Sequence, residues 1–430
     1  MTSPFKWDIN LVAVGIFGEN NYGYIGNTSA INLANANNIY FAPDLPEGFR
    51  PEDGDLVGDF YNDNRKKFGS ALVDVMGPSF MINLESGHSF GLFTRVRASA
   101  SIRNIPPHLG YYQIKQVPYD QPFDLPKGKS AGMGWSEIGI NYAINMPSSN
   151  GNIGFGVNLK YLQGYEAYYF KNNTNTTVVN TRGDTLSAPS ANFEFAFTDS
   201  NTAEDDIGLS KNGNGIGIDL GAMMVIGNSG RDYDWKFGAS IIDIGRINFK
   251  NNAQKHVFNT DSPFSLVGPA YESITEVDQG IQKLSQDILS DSLASRAGNK
   301  FGIWLPAALS LQADYQFIPN VYVNATLVQR VPLGKAALQR DNILAISRRW
   351  ETRWFGASLP LVLYNYSDFR VGTALRLGYL TLGSDHIGSL FGEQKKFSGA
   401  DFYVALKVNP FNLNFSDGGR RGKGVKCYDF

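Results

Sequence analysis

The sequence predicts an all-β fold, a transmembrane antiparallel up-and-down β-barrel of about 12 to 14 strands with long extracellular loops. Three observations carry this expectation. Apolar residues alternate with polar or small ones along nearly the whole chain, most plainly over 369–382. There Phe369, Val371, Thr373, Leu375, Leu377 and Tyr379 share one face of a strand, and Arg370, Gly372, Ala374, Arg376 and Gly378 share the other. Turns of two quite different lengths alternate between such stretches. Glycine (46 residues) and aromatics (13 %) are abundant while charged residues are few (18 %), a mixture that suits small inward residues and aromatic girdles at two membrane interfaces.

The same composition excludes other classes. No run of 18 apolar residues exists, so no transmembrane helix is expected. A formal charge of −2 argues against a nucleic-acid partner. The single Cys427 cannot form an internal disulfide. The first residues, MTSPFKW, lack the charged and apolar regions of a signal peptide, so the numbering is expected to begin near a mature terminus. No composition break divides the chain, which reads as one barrel over 1–414 followed by a periplasmic basic tail over 415–430.

In chain order, residues 7–17 form a first strand with Trp7 as an interface anchor, and a long Asn-, Asp- and Gly-rich loop follows to about 69. Strands are expected over 71–84, bent at Gly77-Pro78, and over 90–99, with Arg95 and Arg97 inward. A loop over 104–133 leads to a hairpin of 135–146 and 153–161, with Glu137 and Lys160 inward. Residues 164–212 are polar apart from Phe193, Phe195 and Phe197, and read either as a projecting hairpin or as two more spanning strands. Alternation resumes over 216–226, with Asp219 inward, and over 235–249. The insertion that follows holds one helix, about 273–295, because Ile274, Val277, Ile281, Leu284 and Ile288 fall three and four apart. It reads as a helix packed on the rim, or as a lid over the lumen. Residues 305–317, with Asp314 inward, and 321–327 make a tight hairpin; 343–363 is one long strand or two; 369–382 and 402–408 complete the wall, with Lys407 inward.

Short turns near 87, 149, 230, 319 and 366 alternate with long ones near 45, 118, 190, 275, 336 and 392. In bacterial outer-membrane barrels the short turns are periplasmic. Both termini are then expected in the periplasm, with twelve strands, or fourteen if 164–212 crosses back. In this scheme 369–382 is the next-to-last strand, rising from the turn at 365–368.

Sites of chemistry are sparse. Gly87-His88-Ser89-Phe90-Gly91 and Gly128-Lys129-Ser130-Ala131-Gly132 match the G-x-S-x-G pattern, but no helix follows either, and His88 and Ser89 are adjacent and so point to opposite faces. His88, His108, His256 and His386 show no metal-ligand spacing, and no cofactor is expected. Asp199, Glu204, Asp205 and Asp206 read as a solvated loop. What remains is the lumen. Arg95, Arg97, Glu137, Lys160, Asp219, Asp314, Arg370, Arg376 and Lys407 are assigned inward by alternation, together with Lys236 and Arg246, as a pathway or a brace. Arg420, Arg421, Lys423 and Lys426 make the tail a candidate partner-binding segment.

The stretches WDINLVAVGIFGENNYGYIGNTS, ISRRWETRWFGASLPLVLYN, FRVGTALRLGYLTLGSD and RGKGVKC resemble a Bacteroidota outer-membrane barrel family known only as a domain of unknown function. That family is similar in architecture to FadL and PorV barrels, which implies fourteen strands and no catalytic residues. The resemblance to PorV implies an accessory or scaffold subunit of an outer-membrane secretion or assembly complex. The resemblance to FadL implies instead a passive transporter or narrow channel for small or hydrophobic molecules. Outer-membrane lipids and lipopolysaccharide, and protein partners in a complex, are the expected contacts.

Overall fold

The computed structural model describes residues 6–408 except 47, 62, 64, 106–118, 200–209, 228–232 and 353. The basic tail, His108 and most of the acidic loop therefore lie outside the described residues. One antiparallel sheet closes on itself. Its fourteen wall strands are β1 (Trp7–Asn20), β2 (Lys67–Asn83), β3 (His88–Ile105), β4 (Lys129–Ser148), β5 (Gly151–Asn172), β6 (Gly213–Ile226) and β7 (Trp235–Phe249). The wall continues as β8 (Ala308–Ile318), β9 (Val321–Arg330), β10 (Ile343–Glu351), β11 (Phe355–Tyr364), β12 (Asp368–Val371 continued as Thr373–Leu377), β13 (Leu380–Ser384) and β14 (Gly399–Val408). β14 pairs with β1, from Ile9 opposite Val408 to Glu19 opposite Gly399, and β1 pairs with β2, so no edge is left.

Alternation places the two faces. Ile140 on β4 and Leu159 on β5 are cross-strand neighbours, apolar and 57 % and 49 % exposed, while the flanking Glu137 and Lys160 are buried. An outward apolar band with a polar interior is the arrangement of a membrane-spanning barrel. No helix among the described residues is long and apolar enough to cross a membrane.

The twelve strands expected from turn parity become fourteen, the alternative count, but not by the expected route. The described residues of 164–212 add no spanning strands: β5 pairs directly with β6 and runs on to Asn172, and Ala191–Thr198 pairs with its upper end and with Ala253–Thr260, extending the wall beyond β6 and β7. The extra pair comes from two reversals that interrupt alternating runs. A break between Glu351 and Phe355 divides 343–363 into β10 and β11, and Gly378, at φ 60°, divides 369–382 into β12 and β13. The turn at 365–367 consequently belongs to the long-loop end. β12 therefore descends from it rather than rising, which puts Arg370 near the long-loop end and Arg376 near the short-turn end. The Gly77-Pro78 bend is a bulge, with a register shift between Met76 and Ser79.

Two four-stranded sheets stand outside the wall sheet. One joins Pro122–Leu125, Thr176–Thr181, Thr185–Ala188 and Phe264–Val267; the other joins Gly23–Thr28, Ile39–Phe41, Leu56–Phe60 and Gln394–Phe397. The predicted helix spans Val277–Leu289, shorter than expected, and its Ile288 and Leu284 pack against Phe193, Phe195 and Phe258. Phe193 and Phe195 alternate with Glu194 and Ala196 on their strand, Phe258 pairs opposite Phe193, and Ala196 faces the barrel interior with Tyr169. The helix thus covers the outside of the wall extension. That placement overturns the lid reading.

Replacing Ile140 by Lys puts a charge on the lipid face near mid-band and is expected to cost about 2–4 kcal/mol. Urea unfolding of the wild-type and Ile140→Lys proteins in lipid vesicles measures it.

Candidate functional site: the ion-paired lumen and its strap

Period two carries charges inward from many strands, and burial forces them to pair. At mid-height Arg97 on β3 is almost wholly buried and donates to Glu137 (3.0 Å) on β4 and to Asp243 (2.8 Å) on β7, while its guanidinium lies 5.0 Å from the Trp135 ring. Trp135 Nε1 donates to the same Glu137 at 2.7 Å. Lys160 on β5 bridges Asp219 and Asp243, at 2.8 Å each, and stands 3.9 Å from Glu137. Arg95 is held by Asp74 on β2, Nε to Oδ1 2.6 Å, and Arg97 approaches the same carboxylate at 3.6 Å. Arg95, Arg97, Glu137, Lys160 and Asp219 therefore form one continuous layer across the interior.

The other inward positions form separate pairs. Asp314 receives Arg349 at 2.7 Å and the Tyr233 hydroxyl at 2.9 Å. Arg370 joins Glu19 (2.8 Å) to Asp368 (2.7 Å) beside the Tyr364 ring. Arg376 donates to the Thr352 carbonyl at 2.6 Å, and Lys407 pairs with Asp8 at 2.9 Å near the short-turn end.

Arg246 does not belong with them. Asp243 adopts φ 57° at a register shift between β6 and β7, and the extra residue reverses the alternation beyond it. Lys236 and Ser240 face in below the bulge; Asp243, Gly245 and Ile247 face in above it; Arg246 turns to the face of Ile216 and stacks 5.9 Å from Trp304. Sequence reasoning missed Asp243, although an aspartate within Ile241-Ile242-Asp243-Ile244 is a signal that could have found it. It also missed Asp74, whose phase is hidden by the bulge at Gly77-Pro78.

The largest omission is the segment 331–342 between β9 and β10. A loop reading gives it no depth, yet Ala337, Leu338, Asp341 and Asn342 are buried. Residues 336–338 run beside Phe301–Trp304, with Trp304 N donating to the Ala336 carbonyl and Leu338 N to the Trp304 carbonyl. Leu338 then inserts among Trp135, Leu162, Ile247, Phe249, Ile303 and Leu305. Gln339 N donates to Ser101 Oγ at 3.0 Å and Arg103 reaches Asp341 at 2.6 Å, both from β3, while Arg340 reaches Asp243 at 3.0 Å. In a ring of fourteen, β3 stands opposite β10. A segment that leaves β9, touches β3 and returns to β10 must cross the lumen, so 331–342 is a strap.

Neither G-x-S-x-G match assembles a catalytic arrangement. His88 Nδ1 lies 2.9 Å from the outward Tyr142 hydroxyl, while Ser89 is buried and donates to Asn83, so the two share no face. Ser130 lies within β4 without a following helix. Among the described residues no group of three His, Cys, Asp or Glu could hold a metal ion.

Asp243→Asn leaves Arg97, Lys160 and Arg340 short of counter-charge, with an expected loss of about 3–5 kcal/mol. Arg246→Gln, outside that layer, is expected to change stability by less than about 0.5 kcal/mol. Unfolding of the two variants in detergent, followed by the mobility shift of folded barrel on gels, measures both.

Among solved structures the chain is similar to a deltaS2S3 mutant of the TodX monoaromatic hydrocarbon channel, at 10 % identity and a TM-score of 0.42 over 94 % of this chain and 90 % of that one. It is similar to a Pseudomonas aeruginosa FadL homologue at 11 % and 0.41, again over 94 % and 90 %. The P. putida toluene transporter TodX gives 9 % and 0.39 over the same shares. No curated protein matches the sequence. The family model described as "Family of unknown function (DUF5723)" matches residues 1–385, and the chain belongs to that family.

Proposed function

We propose that the protein is a passive transporter of the bacterial outer membrane, with both termini periplasmic, whose lumen is closed in this conformation by the strap 331–342. The single observation behind the proposal is the crossing of a fourteen-strand lumen by a segment tied to the wall through side chains and a short run of backbone hydrogen bonds. Eight strands enclose an interior that side chains fill, and sixteen leave an aqueous channel. A barrel of fourteen lies between, too wide for its wall residues alone to close. The strap supplies the missing volume, and its attachments are two ion pairs, one apolar residue and a few hydrogen bonds. Such attachments release without unfolding any wall strand.

Moving the strap uncovers a passage with two kinds of surface. The patch that Leu338 covers is apolar, with Trp135, Leu162, Phe249 and Ile303; the layer beside it is ionic, with Arg97, Glu137 and Lys160. This combination suits small molecules with an apolar part. In this reading Arg340 and Asp243 are the latch, and Arg370 and Arg376 line the wall of β12. The accessory-subunit reading draws on the loops and on the basic tail, which lies outside the described residues, and the interior gives it nothing further.

Replacing both Leu338 and Arg340 by Ala weakens the apolar and the ionic attachments together. Conductance in planar bilayers is expected to rise severalfold over wild type. Removal of 277–289, which lies outside the wall, is expected to leave conductance unchanged. Equal conductance of the doubly substituted and wild-type barrels, both shown to be folded by gel mobility, contradicts the proposal.

A further inference from the structure

At the long-loop end a cavity of about 590 Å3 lies between the wall and the strap, a volume in the range of small-molecule sites. Its charge is strongly one-sided. Lys171, Lys255, Lys300, Lys335 and Arg246 line it against a single carboxylate, Glu194, which Lys255 engages at 3.3 Å. Among the described residues no carboxylate forms an ion pair with Lys171, Lys300, Lys335 or Arg246. The register adds an independent sign. Lys129 on β4 stands directly opposite Lys171 on β5. Like charges placed so are destabilising unless something negative sits between or beside them. The rest of the lining is aromatic and amide: the Tyr169, Phe301 and Trp304 rings, with Asn173 and Asn192. Phe301 packs 5.9 Å from Tyr169, so the aromatic wall is fixed in place.

We infer that this cavity binds a multiply charged organic anion with a ring-shaped body, such as a sugar phosphate. Phosphate or carboxylate groups answer the unpaired cations. A ring lies against the aromatic faces, and the two amides bond to its hydroxyls. Lys335 belongs to the strap, Lys171 to β5 and Lys300 to the turn before Phe301–Trp304, so a bound anion neutralises the repulsion between them and bridges strap and wall. The inference rests on the transporter reading and gives it a substrate class: the ligand meets the strap before it meets the ionic layer. A soluble sugar phosphate and a phosphorylated glycolipid of the outer leaflet present the same chemistry.

The test is calorimetric titration of the full-length protein in detergent micelles with inorganic triphosphate at matched ionic strength. Saturable binding is expected, weakened about tenfold or more in a Lys171→Gln, Lys335→Gln variant and unchanged in Lys395→Gln, an exposed lysine of the strand Gln394–Phe397. Gel mobility establishes that each variant is folded. Absence of saturable binding by wild type, or equal affinity in the doubly substituted protein, overturns the inference. Competition by a phosphorylated glycolipid in mixed micelles assigns the anion to a lipid, and competition by glucose 1-phosphate alone assigns it to a solute; either keeps the site. Titration needs no conduction, so the two failures are distinct. Binding without conductance contradicts only the transporter reading, and conductance without binding contradicts only this inference.

Discussion

The interior depends on Asp243. Its carboxylate receives Arg97 from β3, Lys160 from β5 and Arg340 from the strap, at 2.8 to 3.0 Å. Its backbone N donates to Asp219 at 2.7 Å, and its φ of 57° marks the bulge that aims it inward. A left-handed conformation is costly for a residue other than glycine, and it persists here because the surrounding charges require it. Three cations around one carboxylate hold together only with Glu137, Asp219 and Asp74 completing the layer. The network therefore behaves as a unit.

A geometric constraint sits behind that chemistry. Wall side chains reach inward a fixed distance, and fourteen strands leave a space they cannot close. Buried polar groups then need either water or further protein as partners. The chain supplies further protein, the strap, and it ends as the interior begins, half apolar at Leu338 and half ionic at Arg340 and Asp341. One segment thus meets both surfaces of the passage. In the proposed transporter, an ion-paired latch beside an apolar contact fixes the position of the strap and lets it open.

Much of this architecture is legible in the sequence because a barrel wall repeats one local rule. Alternation assigns Arg97, Glu137, Lys160, Asp314 and Arg376 to the inner face, since pleating decides side-chain direction residue by residue. It fails where the rule is locally broken. The bulge at Asp243 reverses the phase, so Arg246 reads as inward while it stacks on Trp304. Gly378 sits inside an unbroken alternating run, so the reversal between β12 and β13 reads as continuous strand. The strap was invisible for a different reason. Depth within a barrel is a long-range property, set by pairing between 331–342 and strands more than two hundred residues away such as β3. The amphipathic pattern of 277–289 announces a helix with a face to bury, but not which side of the wall will bury it.

The central claim is that 331–342 closes the lumen by crossing it. Gln339 N meets Ser101 Oγ on β3 at 3.0 Å, which brings the two backbones close enough to test cysteines at these positions for a disulfide between strap and wall, its formation being checked by thiol titration. The decisive measurement is ion flux through Ser101→Cys, Gln339→Cys barrels, in a Cys427→Ser background, before and after reduction in the same bilayer. A closed barrel is expected when oxidised and reversible opening events when reduced. Equal flux in the two states would contradict it.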